Sequence, residues 1–364
     1  MASKSSREAS PDLTAHRLQR LGLAKPDFDT PEAVVSWLGA VQAQDWYGSL
    51  WAVGSRMRTA TESTIEQAIA DGSIVRTWPM RGTLHFVAAA DVRWMLQLLA
   101  PRVVAANRAR IERDFGLDEV TLKRSRKIVE KALREGKPIA RGELYAALDA
   151  GGIDSARMRG IHVTGWLAHH GVICGGPRVG RQPTFVLLDA WVAPTPAKTR
   201  DEALHALALR YFRSHGPATA QDLAWWSGLT VKDAQLAAAL AEPELRVLDV
   251  AGKRYLHGND DPSFETKPTT GVHLLAPFDE YLVGYRDRSA AVEPALSRQV
   301  IGINGLVNAS VLVDGKVVGT WKRVLGRDGV SIELAPFRAL RRGEQAPLKR
   351  AMKRYAAFIG KKLL

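Results

Sequence analysis

Apolar positions recur at helical spacing early in the chain, and the clearest case begins at Pro31. Thr30 can cap this helix, Pro31 suits its first position, and Glu32 lies in its first turn. Val34, Val35, Leu38 and Val41 then share one face. Leu13 to Leu21 reads as a shorter helix before it. Ser63 and Glu66 form a capping box ahead of Ile65, Ile69 and Ile74, and Gly72 closes that helix. The period then changes. Residues Ile74 to Val87 read as two short strands around a turn containing proline and glycine, which presents Arg76, Arg81 and His85. Ala90 to Arg134 is helical again, with Pro101 starting a new helix or kinking one.

The same succession returns twice. A short helix opens at Ile139 and ends at Gly151-Gly152. Ser155 to His170 is a second helix, with Met158, Ile161, Trp166 and Leu167 as core anchors. Val172 to Leu188 is a hairpin whose tip carries Arg178 and Arg181. After the linker Pro194-Thr195-Pro196, helices run from Arg200 to Ser214, Ala220 to Ser227 and Val231 to Ala241. A hairpin over Leu245 to His257 follows. Helices followed by a basic hairpin is the winged-helix order, in which the second helix of a unit enters the major groove. Arg157 and Arg159 are then groove-side or phosphate candidates, and Arg178 and Arg181 are wing contacts. A small packing unit with solvated arginines is the alternative reading.

From Asp260 the pattern is mixed. Ser310 to Trp321 is the strongest hairpin, with Asp314-Gly315 between two apolar runs, and Pro347 to Ile359 is a basic closing helix. The Asp314-Gly315 turn either probes a groove of a nucleic acid or simply forms sheet. The expected fold class is α+β: three tandem winged-helix domains with a small C-terminal mixed α/β domain. The expected divisions are a disordered tail at 1–12, a first unit at 13–135, a second at 136–195, a third at 196–260 and the C-terminal domain at 261–364.

Charge sharpens the picture. The 364 residues carry a net +13, spread along the whole length. Such an excess in a folded chain points to a polyanion, and double-stranded DNA is the expected partner. An arginine-rich composition without that meaning is the plainer account. Cys174 is the one cysteine, which rules out an internal disulfide and fits a reducing, cytoplasmic, nucleoid-associated setting. The first residues lack the apolar core of a signal peptide. The apolar stretch Phe86 to Ala106 is broken by Asp91, Arg93 and Arg102, so no membrane span is expected. His162, His169 and His170 lack an acidic or cysteine partner at metal spacing, and no glycine-rich stretch carries a Walker-type lysine. Neither metal nor cofactor is expected. No dimerisation helix is evident, which predicts a monomer.

The candidate chemistry lies at Gln42-Ala43-Gln44-Asp45. On an extended segment, Gln42 and Gln44 point the same way, whereas on a helix they diverge. A functional pair therefore requires the Pro31 helix to end near Val41. Gln42-Ala43-Gln44, with Trp46 and Ser49-Leu50-Trp51 after it, resembles the glutamine-x-glutamine motif of the AlkZ/YcaQ-like DNA glycosylases. Arg76-x-Trp78-x-x-Arg81-Gly82-Thr83-Leu84-His85 is similar to another segment of that family. So are His215-Gly216-Pro217-Ala218-Thr219 with Trp225-Trp226, and Pro277-Phe278-Asp279-Glu280-Tyr281. The resemblance covers nearly the whole chain. It implies tandem winged-helix domains clasping duplex DNA and cleavage of the bond between deoxyribose and an alkylated purine, crosslinked purines included. The YcaQ branch has aspartate at the second motif position, so Gln44 matches the AlkZ branch.

Amides suit that reaction. An N7-alkylated purine is already cationic and leaves readily, and the sugar passes through an oxocarbenium-like state. A glutamine is no general base, but its oxygen can hold a water or face a cation. Gln42 and Gln44 are therefore expected to hold the water and polarise the site, with buried amides tying down a loop as the alternative. Asp45 either caps the next turn or takes the proton. Arg81 and His85 are expected to line the DNA channel, His85 being otherwise a core imidazole. A non-catalytic winged-helix regulator is the second function class, and a defined palindromic site without base release would mark it.

Overall fold

The computed structural model describes residues 12–260 and 271–364, the side chain of Asn304 excepted. Of the expected tail only Asp12 is among them. It caps α1 (Leu13–Arg20) by accepting from the Thr14 and Ala15 amides. Next come α2 (Pro31–Leu38), β1 (Val41–Gln42), α3 (Trp46–Gly54), α4 (Glu62–Ala70), β2 (Ile74–Met80) and β3 (Thr83–Ala88). Thr30 caps α2 as the sequence suggests. The helix stops at Leu38 because Gly39 takes φ +82, a conformation that Cβ-bearing residues avoid. Gln42 therefore lies on a strand. The capping box of α4 is Thr61 with Thr64, not Ser63 with Glu66, because the helix begins at Glu62.

A 27-residue helix, α5 (Ala89–Phe115), runs through Pro101 without a break. It leads to α6 (Glu119–Ala132), β4 (Ile139–Ala140), α7 (Arg141–Ala150), α8 (Arg159–His169), β5 (Ile173–Val179), β6 (Gln182–Leu187) and the short α9 (Leu188–Trp191). Then follow α10 (Arg200–His215), α11 (Ala220–Ser227), α12 (Val231–Ala241), β7 (Leu245–Val250) and β8 (Lys253–Gly258). The rest is β9 (Val272–Leu275), α13 (Glu280–Val283), α14 (Ser297–Val300), β10 (Ser310–Val313), β11 (Lys316–Leu325), β12 (Val330–Pro336) and α15 (Arg342–Phe358). The order helix, short extended pairing, two helices, hairpin thus recurs three times. In the third instance the short pairing is a bridge between Ala218 and Leu256.

The first two hairpins do not stand apart as free wings. They join into one six-stranded sheet, ordered β1-β3-β2-β5-β6-β4, through a pairing of Arg76 with Gly175. A Cβ at Gly175 would come within 3.0 Å of the Arg76 carbonyl, so the seam needs glycine there. The C-terminal sheet is β12-β11-β10-β9, and among the described residues β7 pairs only with β8. Two apolar cores result. One contains Leu117, Val129, Leu133, Leu148, Val163 and Leu167. It draws in α6, which the sequence placed with the first unit. The other runs continuously from α1 through α10 to α12 and on to the C-terminal sheet and α15.

The Asp314-Gly315 turn forms as a tight hairpin, with φ of 47° and 78°. It packs back onto the protein: the Tyr281 hydroxyl donates to the Gly315 carbonyl at 2.8 Å, and Thr14 abuts Gly315. This turn is not free to enter a groove. Among the described residues no helix is long and apolar enough to cross a membrane.

A fully buried ion pair crosses the large core. Arg56, in the turn after α3, and Asp279 at the start of α13 are both fully buried and bonded twice, at 2.8 and 3.0 Å. Arg56 also donates to the Leu21 and Ala52 carbonyls. Removing one partner strands the other charge. Arg56→Ala or Asp279→Ala is expected to lower unfolding free energy by about 3–5 kcal/mol, and Arg56→Met with Asp279→Leu to cost distinctly less. Chemical denaturation of the three variants checks this.

Candidate active site

The three residues Gln42-Ala43-Gln44 are held at nearly every polar group. The Ala43 amide donates to the Leu84 carbonyl at 2.7 Å, extending the β1–β3 pairing. The Ala43 carbonyl accepts twice from Arg76, at 2.8 and 3.2 Å. The Gln42 amide donates to Glu280 at 3.0 Å. The Gln42 side-chain oxygen accepts from Arg81 at 3.3 Å, and that of Gln44 accepts from the Leu84 amide at 3.1 Å. Both glutamines thus reach the tip of the β2–β3 hairpin. Their oxygens take those donors, so their NH₂ groups turn away, and each oxygen keeps a second lone pair.

They differ in exposure. Gln42 is buried and Gln44 is open to solvent. Gln44 lies on the wall of two cavities. One is a cleft of about 680 Å³ whose lining includes Arg81, Asn107, Lys123, Ile161 and Trp166. The other is smaller, about 210 Å³. Asp45 caps α3, accepting from the Gly48 amide at 2.6 Å. Its second oxygen has no hydrogen bond among the described residues.

Behind Gln42 the charges are ordered. His85 is fully buried, which corrects the expectation that it lines the channel. Arg81 has only donors, so the His85 Nε2 accepts from it at 3.2 Å, and Nδ1 carries the proton toward the Thr83 carbonyl at 2.9 Å. Burial, and then the Arg81 cation, push the His85 pKa down to about 3. Burial also lowers Arg81, against the pull of Glu280. Arg76 is lowered to about 10 by burial and then by Arg178, against the pull of Asp45. Both arginines remain cations at neutral pH, but their guanidinium groups hold the motif.

Glu280 is the residue that sequence reasoning missed. Asp279 and Glu280 lie in a segment that carries part of the family resemblance, but the sequence assigns neither a role. They start α13, with Asp279 at its N-cap. Asp279 turns to Arg56, while Glu280 accepts from the Gln42 amide and from the Trp226 indole at 2.9 Å. The His215 Nε2 lies 3.5 Å away. Burial works against a charge on Glu280, yet its pKa is held low by His215 and then by the His85 and Arg81 side. No local signal in the sequence marks a carboxylate 238 positions downstream as the partner of Gln42.

The remaining candidates separate. Arg157 and Arg181 are exposed. Arg178 is half-buried, with its guanidinium 4.8 Å over the Trp46 ring and 5.8 Å over Tyr47. Arg159 turns inward to the Asp154 and Phe115 carbonyls, so it is not a free groove contact. Met158 and Ile161, expected in the core, are 61% and 42% exposed and line the cleft; Leu167 alone of that group is fully buried. Trp226 is core, whereas Trp225 is exposed beneath Arg288. The described residues hold no cluster of three or more groups placed to grip a metal.

The chain is similar to known proteins over most of its length. The family model described as "DNA glycosylase AlkZ-like" matches residues 35–358. A Streptomyces sahachiroi protein named "Interstrand DNA cross-link repair glycosylase" is 29% identical over 330 residues, 85% of this chain and 86% of that protein. The structure of Streptomyces sahachiroi DNA glycosylase AlkZ matches with a TM-score of 0.78 at 25% identity, over 97% of this chain and 98% of that one.

His85 refuses a proton that the unfolded chain accepts. Its folded pKa of about 3 lies below the ordinary 6.5, so between these values the unfolded state binds more protons and stability falls as the pH falls. Acidification from pH 6.5 to 5 is expected to lower the denaturation midpoint. His85→Gln, which can still donate and accept, is expected to flatten that dependence by up to about 1.4 kcal/mol per pH unit. Denaturation curves across this range are the measurement.

Proposed function

This chain belongs to the AlkZ-like DNA glycosylase family, and on that premise we propose that it hydrolyses the N-glycosidic bond of N-alkylated purines in duplex DNA, bulky adducts and interstrand crosslinks included. The observation that carries the reading is the exposed Gln44 amide at the junction of two cavities, with Gln42 fixed behind it. The bond between C1′ and the purine nitrogen breaks, and its electron pair neutralises the cationic base. A water oxygen bonds to C1′ and gives up a proton. Gln44 holds that water through its free lone pair. Gln42, oriented by Arg81 and Glu280, sets the polarity behind it. Asp45 caps α3 with one oxygen and receives the proton on the other. Preorganised dipoles of this kind stabilise developing charge without reorganising as the reaction proceeds.

The DNA lies along the cleft that α5, α6 and α8 share with the β2–β3 tip. In this reading the three recurring groups of elements are winged-helix units, and the chain acts as a monomer. Their divisions are those expected from the sequence, with α6 moved from the first unit into the second. Arg157 and Arg181 are the phosphate contacts, while the Arg178 guanidinium is taken up by the Arg181 carbonyl and the Trp46 ring. Arg76 and Arg81 hold the motif and are not counted among the phosphate contacts. The S. sahachiroi relative is named for crosslink repair, which supports the inclusion of crosslinked purines.

Gln42→Ala and Gln44→Ala are each expected to lower base release on the order of 10²–10³-fold, the scale seen when one preorganised donor is removed. Duplex affinity should be retained. The assay is alkali-revealed abasic sites on N7-alkylated DNA, and unchanged release by both variants would end the proposal. Glu280→Gln replaces an acceptor with a donor opposite the Gln42 amide or the Trp226 indole. Release is expected to fall roughly tenfold or more, from the 1–3 kcal/mol cost of one unmet buried group.

A further inference from the structure

The smaller cavity beside Gln44 has no occupant in the account above. At about 210 Å³ it lies where β2 meets β5, with α7 and α8 also on its walls. Pockets for drug-sized ligands measure roughly 300–1,000 Å³, so this one suits a single ring system. Its lining includes the aromatic rings of Trp46, Trp78, Tyr145 and Phe185. Arg76, Arg141 and Arg178 also line it, and no carboxylate does. The buried Trp46 indole Nε1 donates to nothing among the described residues. Buried donors without a partner are uncommon and call for an acceptor. Gln44, Trp78 and Ile161 line both this cavity and the larger cleft, so a group entering from the cleft passes the glutamine.

We propose that the cavity receives a planar aromatic ring of the lesion, which is either the alkylated purine itself or an aromatic substituent carried on its N7. This rests on the glycosylase reading and names what that reading leaves open, the feature of the lesion that is selected. Aromatic walls bind either ring by stacking. For the purine there is a further gain. Three guanidinium groups disfavour the cationic base and favour the neutral one left after cleavage, a difference that assists departure. Its O6 is also an acceptor of the kind that arginine recognises.

The test plugs the cavity from the outside. Ile161 is 42% exposed on α8, so Ile161→Trp adds bulk without disturbing a core, and Ile161→Ala removes it. Single-turnover base release is measured on duplexes carrying N7-methyl- or N7-benzyl-deoxyguanosine, with affinity for undamaged duplex alongside. Ile161→Trp is expected to slow release about tenfold, the scale of losing one stacked base, and to release more slowly than Ile161→Ala, while affinity for undamaged duplex changes much less than release. Equal loss on both substrates identifies the purine as the occupant, and loss on the benzyl substrate alone identifies the substituent. Unchanged release, or a loss matched by weaker binding to undamaged duplex, overturns the proposal. If the wild type releases neither base, the glycosylase reading fails separately. The cavity is then judged by tryptophan fluorescence: quenching by free 7-benzylguanine that Ile161→Trp abolishes supports it, and absence of quenching in the wild type sinks it.

Discussion

Two consecutive carboxylates, Asp279 and Glu280, are fully buried, and a buried charge is tolerated only when it is paired and hydrogen-bonded. That requirement fixes where the 277–285 segment must lie. Asp279 is answered by Arg56 in the turn after α3, and Glu280 by the Gln42 amide and the Trp226 indole. Neighbouring hydroxyls close the same region. Tyr211 donates to the Gly284 carbonyl, Tyr285 to the His215 carbonyl and Tyr281 to the Gly315 carbonyl. Parts of the chain more than two hundred residues apart are thereby held in one core.

The consequence at the glutamine motif is rigidity. Arg76 and Arg81 take the carbonyl and side-chain oxygens, and Glu280 and Leu84 hold the amides of Gln42 and Ala43. A site whose groups need not reorganise is what charge stabilisation demands. Arg76 and Arg81 are spent on the motif, which leaves the exposed Arg157 and Arg181 as the proposed cations for the duplex. The fused sheet adds a second constraint. Because β2 pairs with β5, the hairpin carrying Arg178 is set against Trp46 and Tyr47, directly after the motif. The smaller cavity at Gln44 lies along that seam.

Much was legible from local signals. The Thr30 cap and Pro31 place the second helix, and Asp314-Gly315 places the strongest hairpin, because capping and turn chemistry act within a few residues. The threefold succession of helices and hairpin, the glutamine motif and the excess of arginine are likewise properties of sequence order and composition. They carried the family resemblance, and the family comparison agrees with it.

What the sequence could not decide were choices made between distant segments. Whether Met158 and Ile161 face a core or a cleft depends on which helices lie opposite, and those are α5 and α6. Whether Arg159 meets DNA or the Phe115 carbonyl depends on how the end of α5 packs. His85 alternates onto the buried side of β3 only because β1 pairs with that strand. Glu280 reads as one of many surface acids until burial forces it to find donors. Periodicity and caps determined the elements of this protein; the pairing of buried charge across the fold, which no local window contains, decided the site.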